Sequence, residues 1–118
     1  MSTLNVGTVK TDTIKTSADV EVYTCRAWVN FNGTGTVAIR ASGNVSSITD
    51  NGAGDYTVNF TNAMADANFS AVSSTGIDIS NTQTAAVGGR TSSSVRVFMY
   101  SSSDVLIDTN YIAVAIFR

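Results

Sequence analysis

The stretch from residue 25 to residue 60, CRAWVNFNGTGTVAIRASGNVSSITDNGAGDYTVNF, decides the fold that this sequence predicts. Apolar and polar residues alternate in short runs, and Gly and Asn separate the runs. Alternation is typical of a strand that buries one face, and Gly and Asn supply the positive φ angles of hairpin turns. The stretch therefore predicts a meander of four strands. They are expected at residues 21–31, 36–42, 45–49 and 56–60, with turns at 32–35, 43–44 and 50–55.

The first of these strands has two contrasting faces. The face predicted to enter the core carries Tyr23, Cys25, Ala27, Val29 and Phe31. Cys25 is the only cysteine, and no His or Lys next to it in sequence would activate it, so it is interpreted as a small core hydrophobe. Trp28 falls on the opposite face beside Arg26. Because a large indole is unfavourable to leave in water, Trp28 is predicted to be covered by the N-terminal segment, a neighbouring subunit or a ligand.

The remainder of the chain shows a similar pattern. It contains no Pro, and no helix of useful length is predicted. Residues 61–68 suit either a single helical turn or a loop, and the polar stretch 74–94, with Ile77, Ile79 and Val87, suits one or two irregular strands and the longest loops. Further strands are expected at 69–73, 95–100, 105–109 and 110–117. Short strands at regular spacing predict an all-β domain, a small antiparallel β-sandwich of jelly-roll-like type.

The last strand is apolar on both faces. Ile112, Val114 and Ile116 share one face, and Ala113, Ala115 and Phe117 share the other. A strand of this kind is normally covered on both sides. The branched set is expected to enter the core, and the smaller set to meet another subunit. The candidate interface therefore comprises Trp28, Ala113, Ala115 and Phe117.

The first 22 residues differ from the rest of the chain. They are rich in Thr, contain Gly7, and hold too few apolar residues to bury themselves. These features disfavour a helix and predict an extended N-terminal arm over 1–22, followed by a β-sandwich domain over 23–118.

Composition excludes several functions. The 118 residues contain no His, carry a net charge of −2 and scatter their seven basic residues singly, which argues against nucleic acid. Without His, the common catalytic triads and His-ligated metal sites are excluded. No apolar run approaches the roughly 20 residues of a membrane span, and no signal peptide is expected. The chain is thus predicted to be neither an enzyme nor a membrane-inserted protein, with no cofactor, catalytic residue or metal site.

Two ligand hypotheses remain from the residues themselves. The turn at 50–55, DNGAGD, offers hard oxygen atoms for calcium but lacks the further acids of an EF-hand loop, so a plain turn is preferred. Charged residues make up only 14% of the chain, against about 25% in ordinary domains. A surface of hydroxyl and amide groups suits contact with copies of the same chain or with neutral sugars. Seven aromatic residues could offer stacking faces for sugars, although most are expected in strands with a core or interface role: Tyr23, Trp28, Tyr56, Phe69, Phe98, Tyr100 and Tyr111.

The runs CRAWVNFNGTG at 25–35 and VAIRASGNVSSITDNGAGDYTVNFT at 37–61 carry a resemblance to a known family. They resemble the C-terminal domain of tail-fibre-like virion proteins of tailed bacteriophages, often those of marine hosts. The resemblance implies a structural protein of the virion, made in the host cytoplasm, that assembles as a homotrimer into a tail fibre, spike or tip. It also implies host attachment, with a host surface glycan as a candidate partner, and an arm that docks on another virion protein.

The resemblance covers about the middle third of the chain, and here that domain accounts for nearly the whole sequence. This departure from a long fibre leaves three alternatives: a head fibre, a capsid decoration protein and a tail accessory protein. An alternative from a different class is a carbohydrate-binding module that works alone.

Overall fold

The computed structural model describes residues 3, 5, 7, 8, 10–76 and 83–118, and in these residues every regular element is a β-strand. The strands are β1 Ile14–Lys15, β2 Glu21–Val22, β3 Cys25–Asn32, β4 Ala38–Gly43, β5 Val45–Gly52, β6 Asp55–Phe60, β7 Ser70–Thr75, β8 Gln83–Thr91, β9 Ser94–Ser101 and β10 Ile112–Phe117. All strand pairs are antiparallel. The prediction of an all-β antiparallel protein is confirmed.

Eight of the strands form two sheets that enclose one core. Sheet I has the order β4-β3-β10-β7, and sheet II has the order β5-β6-β9-β8. The core joins inward side chains of both sheets, as in a sandwich, and the rings of Phe31 and Tyr56 meet edge to face at 5.3 Å between centroids. Hairpins join β3 to β4, β5 to β6 and β8 to β9, whereas β3 and β10 pair although they lie far apart in sequence. The predicted four-strand meander is wrong, because the chain passes from sheet I to sheet II between β4 and β5 and leaves one hairpin in each sheet.

Alternation along the four central strands produces this core. Every second residue of each strand points inward because successive side chains of a strand project to opposite faces. The buried residues of these strands are Ala27, Val29, Phe31, Tyr56, Val58, Phe60, Val95, Val97, Met99, Ile112, Val114 and Ile116. The predicted inward set of β10, Ile112, Val114 and Ile116, is confirmed.

The predicted strand 21–31 is wrong at its start. It is two strands, β2 and β3, separated at Tyr23 and Thr24. Tyr23 is 78% exposed and Cys25 is also exposed, so neither belongs to the core. The pairing of β3 with β10 shifts register between Ile116 and Phe117, which interrupts the alternation, and Ala27 is the first inward residue of β3.

Other segments differ from prediction in a similar local way. Residues 105–109 form no strand and make one isolated bridge, between Tyr100 and Leu106. Residues 61–68 form an irregular loop and not a helical turn, and Met64 within this loop is buried. The polar stretch contains a long strand, β8, whose pairing with β9 shifts register between Gly88 and Thr91, in line with the irregular strand predicted there. Ile77 and Ile79 lie outside the described residues.

Within the predicted arm, β1 and β2 form a small hairpin whose residues are exposed. The hairpin turn is closed by bonds between the backbones of Thr16 and Val20, and of Asp19 and Thr16. The division at residue 22 stays a prediction. The described part of the chain holds no helix long and apolar enough to cross a membrane.

Candidate functional site

The outer face of sheet I carries an apolar groove. Pairing places Ala115 directly between Trp28 of β3 and Val72 of β7. One pair further along, Ala113 lies between Asn30 and Ser74. None of these side chains carries a charge, and they line a shallow depression of about 400 Å³. The alanines form its floor because they are the smallest residues in the row.

Trp28 forms one wall of this groove, and Gly43 sets its position. Trp28 and Gly43 are paired across β3 and β4, and a Cβ atom built on Gly43 would lie 2.9 Å from the indole Cδ1. The indole therefore lies against the bare glycine backbone, a packing that only Gly allows. Trp28 remains 44% exposed, and Val72, the opposite wall, is 57% exposed.

Three of the four predicted interface residues meet in this groove: Trp28, Ala113 and Ala115. Phe117, on the same strand, instead lines a cleft of about 480 Å³ together with Ile14 and Val22 of the N-terminal hairpin. The structure thus separates Phe117 from the other three. Val72 also lines the groove but was not predicted, because the pairing of its strand, β7, with β10 cannot be inferred from the local sequence.

The outer face of sheet II has the opposite character. Its amides and hydroxyls bond to one another: Asn51 donates to Thr57 Oγ1 at 2.8 Å, and Asn59 donates to Thr49 Oγ1 at 3.0 Å. Arg96 pairs with Asp55 across β9 and β6. The polar groups of this face find partners within one subunit, which suits a surface that stays in water.

A cluster of polar and aromatic side chains lies at one end of sheet I. The Arg40 guanidinium stands 4.1 Å from the centre of the Tyr111 ring. It also donates to Asn110 Oδ1 at 2.7 Å and to Asn30 Oδ1 at 3.3 Å. Tyr111 is 52% exposed. The Arg40 contacts hold Tyr111 and Asn110 in fixed positions at the rim of the domain.

Next to this cluster is a polar pocket of about 340 Å³, which we call the end pocket. Its lining residues are Thr34, Gly76, Gln83, Asp108, Thr109, Asn110 and Tyr111. They come from the β3–β4 turn, the end of β7, the start of β8 and the segment before β10. Sequence analysis named Tyr111 as a sugar-stacking candidate but gave no sign that these four segments converge.

A buried hydrogen-bond network supports the end pocket from below. The Tyr56 hydroxyl donates to Asp108 Oδ1 at 2.7 Å or to the Gly33 carbonyl at 2.8 Å, and the Gly54 amide donates to the same Asp108 oxygen at 3.0 Å. Burial, the hydrogen bond to Asp108 and the negative charge of Asp108 together raise the pKa of the Tyr56 hydroxyl. Asp108 therefore ties the segment before β10 to sheet II.

The described residues include no group of three or more His, Cys, Asp or Glu side chains placed to hold a metal ion. In the turn at 50–55, Asp50 Oδ1 accepts the Gly52 amide at 3.0 Å, an ordinary turn bond. Comparison with protein-family models, with curated proteins and with solved structures found no match. The candidate sites are therefore defined by their geometry alone.

Proposed function

We propose that this chain is a structural protein of a tailed-bacteriophage virion, a subunit of a homotrimeric tail fibre, spike or tip that attaches the particle to its host. The single observation that carries the assembly part of the proposal is the uncharged groove of Trp28, Ala113, Ala115 and Val72 on the outer face of sheet I. The virion part is supported by the resemblance of residues 25–61.

The occupant proposed for the groove is another copy of the same chain. Trp28 and Val72 stand as ridges on either side of the alanine floor, so one surface offers both a projection and a recess. Burying large apolar side chains of this kind is worth about 1.5–3 kcal/mol each. The residues that line the groove carry no charge that would repel a second copy. The polar outer face of sheet II, in contrast, would have to lose its hydration on contact. Closed symmetric assembly is the usual outcome of such contacts.

The jelly-roll-like topology of the sandwich is part of the same proposal. Eight strands in two four-stranded sheets and the pairing of the first with the last, β3 with β10, support a jelly-roll-like description. An arm at residues 1–22 that docks on another virion protein completes the proposal. A head fibre or a capsid decoration protein would use the same assembly face.

Sedimentation equilibrium at micromolar concentration tests the assembly. We expect a trimer for the wild-type chain and a monomer for Trp28→Glu, because a carboxylate in the groove must lose its hydration. Thr49→Glu, on the outer face of sheet II, is the matched control and should remain trimeric. A monomeric wild type, or a trimer that tolerates Trp28→Glu, contradicts the proposal.

The virion assignment needs a separate measurement. Antibodies against the purified protein should label particles of the phage that encodes it, seen by electron microscopy with gold conjugates. Labelling at the tail favours the fibre, spike or tip, and labelling of the head favours the decoration or head-fibre alternative. Particles that carry none of the protein would exclude all of these assignments.

The second candidate function is a carbohydrate-binding module that works alone. The observation that favours it is the end pocket beside the exposed Tyr111. A module of this kind should bind glycans on an array while remaining monomeric, whereas a virion subunit should be an oligomer first. The two functions are therefore separated by oligomeric state measured on the same sample.

A further inference from the structure

We propose that the end pocket binds one unit of a neutral sugar. This inference deepens the attachment role proposed above by naming the class of ligand, but all of its residues come from one subunit. The pocket can therefore be tested whether or not the chain assembles. Its volume of about 340 Å³ falls in the range of small-molecule sites.

The polar side chains of the pocket are already held in place. Asp108 is fixed through Oδ1 by the Tyr56 hydroxyl and the Gly54 amide. Asn110 is fixed through Oδ1 by Arg40, and Gln83 is fixed through Oε1 by the Thr75 hydroxyl at 3.0 Å. Each group is anchored by one oxygen, so a ligand would not have to order it. Side chains ordered in advance cost less entropy on binding.

Thr109 supplies an independent observation. It is only 2% exposed and lines the pocket, yet its Oγ1 has no hydrogen-bond partner among the described residues. Buried hydroxyls in folded proteins nearly always have a partner, and an exception calls for an explanation. A ligand hydroxyl that reaches the wall of the pocket gives Thr109 the partner that the described chain does not provide.

The mixture of groups favours a neutral sugar over charged ligands. The Asp108 carboxylate accepts hydrogen bonds, the Asn110 and Gln83 NH₂ groups donate them, and the Thr109 hydroxyl does both. Sugar hydroxyls also donate and accept. An anion would meet the Asp108 charge, and calcium normally takes six to eight oxygen ligands with more than one acid among them. Tyr111, whose ring also contacts the Arg40 guanidinium, lines one side of the pocket and adds aromatic surface to its polar groups.

Saturation-transfer-difference NMR on the full chain tests the pocket. The probes are the methyl glycosides of glucose, galactose, mannose and N-acetylglucosamine, each titrated to 20 mM. We expect saturable binding of at least one probe. Thr109→Val and Gln83→Ala should each weaken it at least tenfold. Thr49→Val makes the same chemical change on the outer face of sheet II and should leave binding unchanged.

Folding and assembly are measured on the same samples so that the outcomes stay distinct. Thr109→Val keeps the side-chain shape and removes only an unpaired hydroxyl, so its circular dichroism and melting should match the wild type. Absence of binding for all four probes, or full binding by a folded Thr109→Val, overturns the sugar site. Calcium binding that is lost in Asp108→Asn, without sugar binding, also overturns it. A trimer that binds no sugar overturns this inference alone and leaves the assembly proposal standing.

Discussion

Tyr56 is the residue on which the interior of the domain most depends. It is fully buried, its ring meets Phe31 of sheet I, and its hydroxyl reaches Gly33 and Asp108. One side chain thus contributes apolar area to the core and a polar tip that joins two loops at one end of the sandwich. Large aromatic residues commonly combine these two roles when the hydroxyl finds a partner.

The raised pKa of Tyr56 predicts a specific loss of stability in alkali. An unfolded tyrosine ionises near pH 10, whereas the folded Tyr56 stays protonated to higher pH. The stabilisation that the protonated Tyr56 hydroxyl gives the folded state is therefore complete below about pH 10. It is lost as the pH rises towards the pKa of Tyr56 in the folded protein. One such group lowers the free energy of unfolding by about 1.4 kcal/mol per pH unit in that window.

Urea unfolding at pH 8, 10 and 11 measures this effect, with Tyr56→Phe as the control. The variant should be less stable than the wild type at pH 8 by about 1–3 kcal/mol, since Asp108 and Gly33 lose a partner. The difference between the two proteins should shrink above pH 10, because only the wild type carries the Tyr56 titration. A difference that stays constant over this range would contradict the assigned environment of Tyr56.

At the scale of the strand, alternation was a reliable guide wherever the pairing is regular. The inward sets of β6, β9 and β10 could be predicted because each of these strands alternates without interruption. Cys25 could not be placed, because the shift at Ile116 and Phe117 belongs to the pairing with a distant strand. An irregular strand was expected in residues 74–94, but the bounds of β8 were not predicted, since its sequence, QTAAVGGRT, contains two adjacent glycines and little alternation.

Strand β10 allows subunit stability and assembly to be separated by two neighbouring substitutions. Val114 is 3% exposed within the core, whereas Ala115 lies on the floor of the groove. Val114→Asp buries an unpaired charge and should unfold the subunit. Ala115→Asp should leave the circular dichroism spectrum close to that of the wild type and yield a monomer in sedimentation. If Ala115→Asp remains an oligomer, the groove is not the contact between subunits.

The turn between β5 and β6 contains a glycine with little freedom to change. Gly54 has a φ of +64°, and a Cβ atom there would lie 2.6 Å from the Met99 carbonyl oxygen and from the Ile107 nitrogen. Gly35, with a φ of +61°, has open space around the same position. The two residues therefore share a backbone conformation and differ in their surroundings.

Thermal unfolding of Gly54→Ala and Gly35→Ala measures the cost of the contact. Both variants should lose about 1–2 kcal/mol for placing a side chain on a left-handed backbone. Gly54→Ala should lose clearly more, because the backbone of Met99 or Ile107 must also shift. Equal losses in the two variants would show that the segment 105–109 moves away from the turn at little cost.

For the molecule as a whole, the described part of the N-terminal segment contributes no side chain to the hydrophobic core. Every residue of the hydrophobic core lies at position 27 or later. A variant that lacks residues 1–22 should therefore keep its strand signal and unfold cooperatively, with little change in melting temperature. Under the proposed function it should fail to join phage particles, as judged by immunoblot of purified virions. Normal incorporation would place the docking surface on the sandwich instead.

Local sequence could suggest the assembly groove but not the end pocket. Trp28, Ala113 and Ala115 stand out because apolar residues on the outer face of a strand are visible in the alternation itself. The end pocket is built from four segments whose meeting depends on the order of strands in both sheets. Thr109 in particular looks like an ordinary polar loop residue until the fold buries it.

The pairing of β3 with β10 also fixes an order of events during synthesis. All four strands of sheet II precede β10 in the chain, so sheet II can form before β10 has been synthesised. Sheet I cannot, because β10 is the strand that joins β3 to β7, and until it emerges β3 presents an open edge and β7 has no neighbour in the sheet. The alanine floor of the groove arrives on that same strand. The groove proposed for assembly is therefore complete only after β10 has paired with both β3 and β7.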